Sequence, residues 1–295
     1  MGDSPLVSIG LPVYNGGAHL RRALDSLLAQ EGAEIEILVR DNASTDDTEA
    51  IVREFAARDA RVRSFRNGAN LGAARNFQLV LTDAAGEYFM WAAHDDRWSS
   101  DYVGLLVQAL QHDPRAVLAA GKAVFNDAAE GPLPDPPDSP APDARLAPFV
   151  TLLRGHATHW IYGVFVRERL LELAARLWDQ PPWGGDMVWL MGLSTSEKIT
   201  GDQGAVLYKM LKPSPYAPST PREIAAWQFW YGRSILGEVW ASPLPLRRKL
   251  SAAGEAGRYW WKYVTGNGFP YLLSIWLKAA RETVRGPKTP AGGAP

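Results

Sequence analysis

Short apolar runs alternate with amphipathic stretches along the first hundred residues of the chain. The apolar runs have the length of β-strands and fall at residues 6–11, 34–39, 62–65 and 88–92. Between them, leucine, alanine and valine recur at helical spacing, which gives the intervening stretches an apolar face. Strands that alternate with helices in this way predict an α/β fold, with a mostly parallel sheet flanked by helices.

The alternation continues less regularly beyond residue 100. In order, the pattern predicts a helix at 102–111, a strand at 116–120, a strand at 159–166, a helix at 167–177 and a hairpin across 199–210. A stretch rich in proline and aspartate at 130–142 is predicted to be an exposed loop. From residue 222 onward the pattern is helical and aromatic.

Polar residues cluster after the predicted strands. The four clusters occupy residues 12–15, 41–46, 70–76 and 94–96. Because the carboxyl ends of parallel strands line a common crevice, we expect these clusters to face one ligand. Their fixed order along the chain carries more information than any single cluster.

Composition and charge narrow the choice of ligand and location. The 295-residue chain has no cysteine, which excludes disulfides and thiolate metal sites, and its net charge of −1 does not favour nucleic acid. Residues 246–288 hold nine bases and two acids, a net +7 that leaves −8 for the rest. No apolar run approaches the roughly 20 residues that cross a bilayer, and the N-terminus lacks signal-peptide features. We expect a cytoplasmic protein, or one peripheral to the inner face of a membrane.

The segments 7–15, 41–46 and 70–76 together resemble the GT-A glycosyltransferases of family 2, over about residues 5–210. Members of this family are inverting enzymes that use nucleotide-activated sugars. The resemblance implies a GT-A, Rossmann-like fold and a nucleotide-sugar donor, by family habit a UDP-sugar. It also implies transfer to a hydroxyl of a glycan or lipid-linked acceptor, Mg²⁺ or Mn²⁺ as cofactor, and a role in polysaccharide biosynthesis.

The resemblance gives each part of the chain an expected role. Residues 1–215 are predicted to form the catalytic domain, with the nucleotide bound by about 1–100 and the acceptor by about 101–215. Residues 216–285 are predicted to form a helical, basic and aromatic C-terminal region. The tail at 286–295 is predicted to be disordered.

Asp41 resembles the aspartate with which the family recognises the base, by accepting a hydrogen bond from the uracil ring. A buried acceptor of this kind is costly to leave unpaired, which suits a discriminating contact. The alternative is that Asp41 and Ser44 form a turn and cap the helix that follows. Asn42 stands where the family usually has a second aspartate.

Further nucleotide contacts are implied at Arg75, Pro12, Tyr14 and Asn15. Arg75 resembles the family's basic residue near the nucleotide, and its guanidinium suits phosphate or a carbonyl edge. Pro12, Tyr14 and Asn15 lie beside the expected base, where Tyr14 offers a stacking face. A surface ion pair for Arg75 and a core position for Tyr14 remain the alternatives.

His94-Asp95-Asp96 falls where the family places its Asp-x-Asp metal motif. By resemblance, Asp96 contacts Mg²⁺ or Mn²⁺ directly, and Asp95 contacts the ribose or a metal-bound water. Such ions are commonly held by one or two carboxylates together with substrate phosphates. Ala93 replaces the first acid of the commoner motif, and the alternative is that both aspartates cap the next helix.

An inverting transfer also needs a carboxylate that takes the proton from the acceptor hydroxyl. Asp186 resembles the family's catalytic aspartate, and Trp183 and Trp189 beside it could supply an apolar platform for a sugar. A helix N-cap is the alternative role of Asp186, with Asp179 and Asp202 as fallback candidates. The basic stretch that relatives carry after this region is replaced by Lys209 and Lys212.

The C-terminal region leaves two interpretations open. Residues 259–263 interleave aromatics with bases, and residues 272–280 form an apolar helical face with bases near it. Such helices can lie on an anionic membrane surface, which predicts membrane contact through 246–285. Alternatively, they pack against the catalytic domain or form a homodimer.

Two rival functions follow from the same residues. A nucleotide-sugar-binding protein without catalysis would account for the metal motif that lacks its first acid and for Gly185 in place of an acid. A nucleotidyltransferase shares the sheet architecture, but 16–19 is a poor match to the phosphate loop that it needs.

Overall fold

The computed structural model describes residues 6–126, 147–153, 158–178, 184–210 and 220–266. Residue contacts divide the chain into two compact units, Met1–Ser214 and Pro215–Pro295. Several predicted features lie outside the described residues, namely the loop at 130–142, Asp179, Trp183, Lys212, the apolar face at 272–280 and the tail at 286–295.

The described part of the first unit alternates strands with helices. Its strands are β1 (Val7–Val13), β2 (Ile35–Asp41), β3 (Val62–Arg66), β4 (Tyr88–Trp91), β5 (Arg97–Trp98), β6 (Ala116–Asn126), β7 (Val164–Val166) and β8 (Lys198–Met210). Its helices are α1 (Gly17–Leu28), α2 (Thr48–Arg58), α3 (Ala73–Thr82), α4 (Tyr102–His112), α5 (Ala147–Leu153), α6 (Arg167–Leu173) and α7 (Gly185–Ser196). Short 3₁₀ helices at Thr158–Tyr162 and Ala174–Arg176 precede β7 and follow α6.

The strands form one mixed sheet in the order β3-β2-β1-β4-β7-β6-β8-β5. β1 lies between β2 and β4 and is parallel to both, and β3 extends the parallel set beyond β2. β7 is antiparallel to β4 and β6, while β6 and β8 are parallel to each other. The predicted α/β fold with a mostly parallel sheet is therefore confirmed.

The central strands have no polar face because both of their faces are buried. Every residue of β1 is buried, as are all but one in β2, because helices cover both faces of a parallel sheet. The helical spacing predicted for α1 is confirmed. The buried residues of α1 are Leu20, Ala23, Leu24 and Leu27.

The hairpin predicted across 199–210 is wrong. Lys198–Met210 forms the single strand β8, whose register against β6 jumps from Gly201 opposite Ala120 to Val206 opposite Lys122. Gly204 donates its backbone N–H to Asp202 Oδ1 at 2.7 Å inside this irregularity. Glycine and aspartate serve a bulge as well as they serve a turn, so the local pattern is the same for both.

The strand predicted at 159–166 is also shorter than expected. Thr158–Tyr162 is a 3₁₀ helix, and only Val164–Val166 pairs with the sheet as β7. β5 was not predicted, because two residues are too few to show a period. Both elements lie next to the carboxylates discussed below, so these irregular segments shape the site.

The second unit contains α8 (Pro221–Ala241) and α9 (Leu246–Gly266). α8 begins with a capping box, in which the Glu223 backbone N–H donates to Thr220 Oγ1 and the Thr220 backbone N–H donates to Glu223 Oε2. Within the described ranges, no helix has both the length and the apolar content needed to cross a bilayer.

Candidate active site

The loops that follow β1 and β2 are locked together by backbone-to-side-chain hydrogen bonds. The Asn15 N–H donates to Ser44 Oγ at 2.9 Å, and Asn15 Oδ1 accepts from the Thr45 N–H at 2.9 Å. Asn15 has a φ of +50° and Ala43 a φ of +60°, so both loops turn sharply at the strand ends. The side chain of Asn15 is thus committed to holding the two predicted nucleotide loops in one place.

Asp41 is buried at the end of β2, where only 2% of it is exposed. Its Oδ1 accepts from the Ser44 N–H at 2.9 Å, and its Oδ2 pairs with the Arg66 guanidinium. The turn between Asp41 and Ser44, given above as an alternative to base recognition, is therefore present. A carboxylate offers about four lone-pair sites, so these two contacts leave capacity for a ligand donor.

The helix cap predicted at Ser44 is wrong. α2 begins at Thr48 with Asp47 in the N-cap position, and the Ser44 hydroxyl serves the loop of Asn15 instead. Asp46 accepts from the Thr48 N–H at 3.0 Å and from the Gly17 N–H at 3.0 Å. The acidic run thus ties two loops together rather than capping one helix.

A network of asparagine amides holds the predicted third cluster against the end of β2. Asn42 Nδ2 donates to Asn70 Oδ1 at 2.8 Å, while Asn42 Oδ1 accepts from the Leu71 N–H and from Asn67 Nδ2, each at 2.9 Å. Asn67 Nδ2 also donates to Asn76 Oδ1 at 2.9 Å. Asn42 must donate and accept at once, which an amide can do and a carboxylate cannot.

Arg75 and Tyr14 are exposed, whereas Pro12 is buried within β1. Arg75 lies in the first turn of α3, and its Nη1 donates to Gln78 Oε1 at 2.5 Å on the same helix. A flexible pair within one exposed helix is weak and easily exchanged for a ligand. Arg75 and Tyr14 therefore present side chains to solvent at this edge, and Pro12 contributes only backbone.

The loop after β4 approaches the loop after β1. A Cβ placed on Gly16 would lie 2.8 Å from His94 Cδ2, so the two loops are in contact. Asn15, Ser44 and Asn42 connect the remaining loops, as described above. The four polar clusters thus meet at one edge of the sheet, as their order along the chain predicts.

Asp96 forms a buried ion pair with Lys209. Only 1% of Asp96 is exposed, its Oδ2 lies 3.0 Å from Lys209 Nζ, and its Oδ1 accepts from the Met210 N–H at 2.9 Å. Burial raises the pKa of Asp96, and the charge of Lys209 opposes that rise. Burial also disfavours the charge of Lys209, but Tyr162 and Asp96 outweigh it, so the pKa of Lys209 is raised. Lys209 Nζ lies 4.3 Å from the centroid of the Tyr162 ring.

The two aspartates of the predicted metal motif are therefore in different surroundings. Among the described residues no group of three or more His, Asp or Glu side chains is placed to hold a metal ion. Both oxygens of Asp96 are engaged, by Lys209 and by the Met210 N–H, and each oxygen retains a lone pair, so the direct metal contact predicted for Asp96 stays a prediction. Asp95 is partly exposed, and one carboxylate with substrate phosphates is a donor set that Mg²⁺ or Mn²⁺ accepts.

Asp186 is the second residue of α7, which follows Gly184, a residue in the left-handed conformation with φ of +77°. Its Oδ1 accepts from the Met187 N–H at 2.9 Å. Burial raises the pKa of Asp186, and both this hydrogen bond and the charge of Lys209 oppose the rise. Asp186 thus belongs to the same electrostatic cluster as Asp96 and has the raised pKa that suits a proton acceptor.

The apolar platform predicted at Trp189 is wrong. Trp189 is buried, its Nε1 donates to the Leu173 carbonyl at 3.1 Å, and its ring packs 6.1 Å from that of Phe165. The described helix α7 is buried nearly all round, so helical spacing could not distinguish a site face from a core face. Asp202, a fallback candidate for the base, is occupied by the Gly204 N–H in the irregular part of β8.

Three side chains of this cluster were missed or left unassigned from sequence. Lys209 was noted only as a replacement for a basic stretch, and neither Tyr162 nor His159 was singled out. His159 Nε2 donates to the Gly121 carbonyl at 3.0 Å, and burial lowers the pKa of His159 to about 4, so the ring is neutral near pH 7. The stretch 158–162 looks like a strand in sequence, which hides these residues among predicted core positions.

Comparison with known proteins gives matches in sequence and in structure. The model of the family described as "Glycosyl transferase family 2" matches residues 8–167. An uncharacterized glycosyltransferase of Rickettsia typhi is 42% identical over 93 residues, 32% of this chain and 28% of the relative. EpsJ of Bacillus subtilis, also an uncharacterized glycosyltransferase, is 29% identical over 228 residues, 73% of this chain and 65% of EpsJ. The chain thus matches less than a third of the length of the Rickettsia relative.

Solved structures share the fold at low sequence identity. Residues 1–349 of TarS from S. aureus superpose with a TM-score of 0.69 and 17% identity, over 89% of this chain and 74% of that one. TarS is also known in complexes with UDP and with UDP-GlcNAc. The mannosyltransferase PcManGT of Pyrobaculum calidifontis, in complex with GDP-Man and Mn²⁺, superposes with a TM-score of 0.56 and 17% identity, over 95% of this chain and 81% of that one. These likenesses confirm the predicted GT-A type of fold.

The amide network predicts the effect of Asn42→Asp. The carboxylate removes the donor to Asn70 Oδ1 and places two acceptors face to face, so we expect a loss of about 1–3 kcal/mol in the free energy of unfolding. Urea titration measures this loss. Gln108→Glu, the same chemical change at an exposed position of α4, should stay within about 0.5 kcal/mol. Equal stability of both variants would show that the amide of Asn42 is not required.

The buried ion pair predicts the effect of Lys209→Met. Asp96 would keep its charge without a partner, which should cost about 3–5 kcal/mol in the free energy of unfolding. Adding Asp96→Asn to this variant should recover part of the loss. Lys198→Met is the matched control. Lys198 lies in β8, like Lys209, but its side chain is more exposed, and its ion pair with Asp113 should contribute at most about 1 kcal/mol. Equal losses from the two lysines would contradict the prediction.

Proposed function

The chain belongs to glycosyl transferase family 2, and from that premise we propose that it transfers a sugar from a nucleotide diphosphate donor to an acceptor hydroxyl with inversion. The observation that carries this proposal is the clustering of Asp95, Asp96 and Asp186 around the charge of Lys209. Carboxylates and an ammonium are the groups that a sugar transfer with a diphosphate leaving group requires.

We propose that the loops after β1, β2 and β3 bind the nucleotide. Asp41 is buried and keeps lone pairs for a base N–H, while Arg75 and Tyr14 are exposed on segments that hydrogen bonds of Asn76 and Asn15 hold near the end of β2. A base that offers no N–H to Asp41 would forgo this additional hydrogen bond and would bind less well than a base that offers one. The known UDP complexes of TarS favour a UDP-sugar, and the GDP-Man complex of PcManGT makes a guanine donor the alternative.

Asp186 is the proposed general base. It would accept the proton of the acceptor hydroxyl as that oxygen attacks the anomeric carbon from the face opposite the diphosphate. Its raised pKa brings its basicity closer to that of a base working near neutral pH. The acceptor is proposed to be a hydroxyl of a glycan or of a lipid-linked sugar, as part of polysaccharide biosynthesis.

We propose that Arg75, Asp95 and the Asp96–Lys209 pair form the part of the site that binds the diphosphate of the donor. Arg75 is free to exchange its partner Gln78 for a phosphate oxygen, and the Asp96–Lys209 pair holds the backbone beside Asp95 in place. Mg²⁺ or Mn²⁺, when bound by Asp95 and the diphosphate, would neutralise charge on the leaving group. A protein that binds nucleotide sugars without transferring them is the second candidate, favoured by the engagement of Asp96 with Lys209 rather than with an open site.

The donor site predicts binding of one nucleoside diphosphate. Calorimetry with UDP, GDP and other diphosphates, with and without Mn²⁺, should find one base preferred. Asp95→Asn should weaken binding in Mn²⁺ roughly tenfold or more, because the ion has few protein ligands to lose. Asp202→Asn is the control and should bind like the native chain. If no diphosphate binds, the assignment of the donor site is wrong.

The base assignment predicts the effect of Asp186→Asn. Turnover of the donor identified above should fall by about 10²–10⁴-fold, while donor affinity stays the same. In the native chain kcat/KM should decrease as the pH falls through the pKa of Asp186, which lies above the ordinary value for aspartate. Donor binding with turnover that does not depend on Asp186 would favour the second candidate or another base.

A further inference from the structure

One side of α8 carries large apolar side chains that are exposed. Phe229 is 69% exposed, Trp240 is 47% exposed and Leu236 is 38% exposed. Their spacing of seven and four residues places them on one side of a helix. Arg222 and Arg233 are exposed and share that side by the same spacing. Glu238 lies nine residues from Phe229, which is the opposite side at 100° per residue.

The start of α9 also carries exposed apolar and basic side chains. Leu246 is 64% exposed and Leu250 is 56% exposed, one turn apart, and Arg247 and Arg248 are exposed beside them. Lys249 Nζ donates to the Trp240 carbonyl at 2.7 Å, so the start of α9 is held against the end of α8. We call the exposed residues the basic-apolar surface, which comprises Arg222, Phe229, Arg233, Leu236, Trp240, Leu246, Arg247, Arg248 and Leu250.

Single exposed apolar residues are ordinary, but this set is concentrated and uniform in charge. The acidic residues of 220–266 are placed elsewhere. Glu223 belongs to the capping box at the start of α8, and Glu255 pairs with Arg258. Residues 220–266 contain seven bases and three acids, a net +4.

We propose that the basic-apolar surface binds an anionic lipid surface. Phe, Trp and Leu side chains insert their apolar bodies at the boundary of headgroups and acyl chains, while arginines beside them contact lipid phosphates. Each base near such a surface strengthens binding roughly fivefold. The proposed contact is made by side chains of α8 and α9 at the surface of the lipid layer.

A second copy of the chain fits this surface less well than an anionic membrane does. In a two-fold dimer the same patch faces itself, so four arginines of one copy would oppose four of the other. No acid of the patch is available to compensate them. Charge complementarity therefore selects a negatively charged partner, and the extended apolar stripe selects one with a hydrocarbon interior.

The test uses the full chain with vesicles of phosphatidylcholine alone or with one-third phosphatidylglycerol, separated by flotation. The native chain should bind the anionic vesicles at least tenfold more strongly than the neutral ones, and added salt should weaken binding. Phe229→Ser/Trp240→Ser should reduce binding tenfold or more. Arg222→Gln/Arg233→Gln/Arg247→Gln/Arg248→Gln should remove the preference for anionic lipid.

Matched controls come from the first unit. Leu171→Ser and Arg53→Gln alter residues that are also exposed, and these variants should bind vesicles like the native chain. Circular dichroism and thermal midpoints should be unchanged in all variants, because the altered side chains are exposed. Absence of vesicle binding would overturn the proposal, as would binding that the α8 and α9 variants leave intact. Light scattering that shows a dimer dissociated by Phe229→Ser/Trp240→Ser, without vesicle binding, would assign the surface to a second copy instead.

Discussion

The contact between Lys209 and Asp96 is the interaction on which the candidate site depends. It joins the end of β8 to the loop after β4, two segments more than a hundred residues apart in sequence. Because the pair is buried, neither charge can be removed alone without leaving the other unpaired. The Met210 N–H completes the arrangement by donating to Asp96 Oδ1 at 2.9 Å. The charge pair thus adds to the pairing of β5 with β8, which joins the same two segments.

That pair also separates the roles of neighbouring carboxylates. Asp96 is paired with Lys209, whereas the contact of Asp186 is a hydrogen bond from the Met187 N–H. Three acids and one lysine leave the cluster net negative, and a diphosphate would add to that charge. The donor proposed above would therefore need cations from outside the cluster, such as Arg75 or a bound divalent ion.

Much of this arrangement could be predicted from sequence where the signal is local. The alternation of strands and helices, the buried face of α1 and the turn between Asp41 and Ser44 all follow from spacing and side-chain chemistry. The partner of Lys209 could not be predicted, because the order of β6, β7 and β8 in the sheet is set by long-range packing. Trp189 was misassigned because α7 is apolar on every side, and the bulge in β8 uses the same residues as a turn.

The asparagine network has a consequence for how the site responds to its medium. Asn42, Asn67, Asn70 and Asn76 hold the segment that leads into α3, where Arg75 lies, and amides neither gain nor lose a proton in water. Asp96 and Asp186 are carboxylates and do titrate. Acidification therefore acts on those two side chains and leaves the hydrogen bonds among the four amides unchanged, so the amide network is the part of the site whose contacts do not depend on protonation.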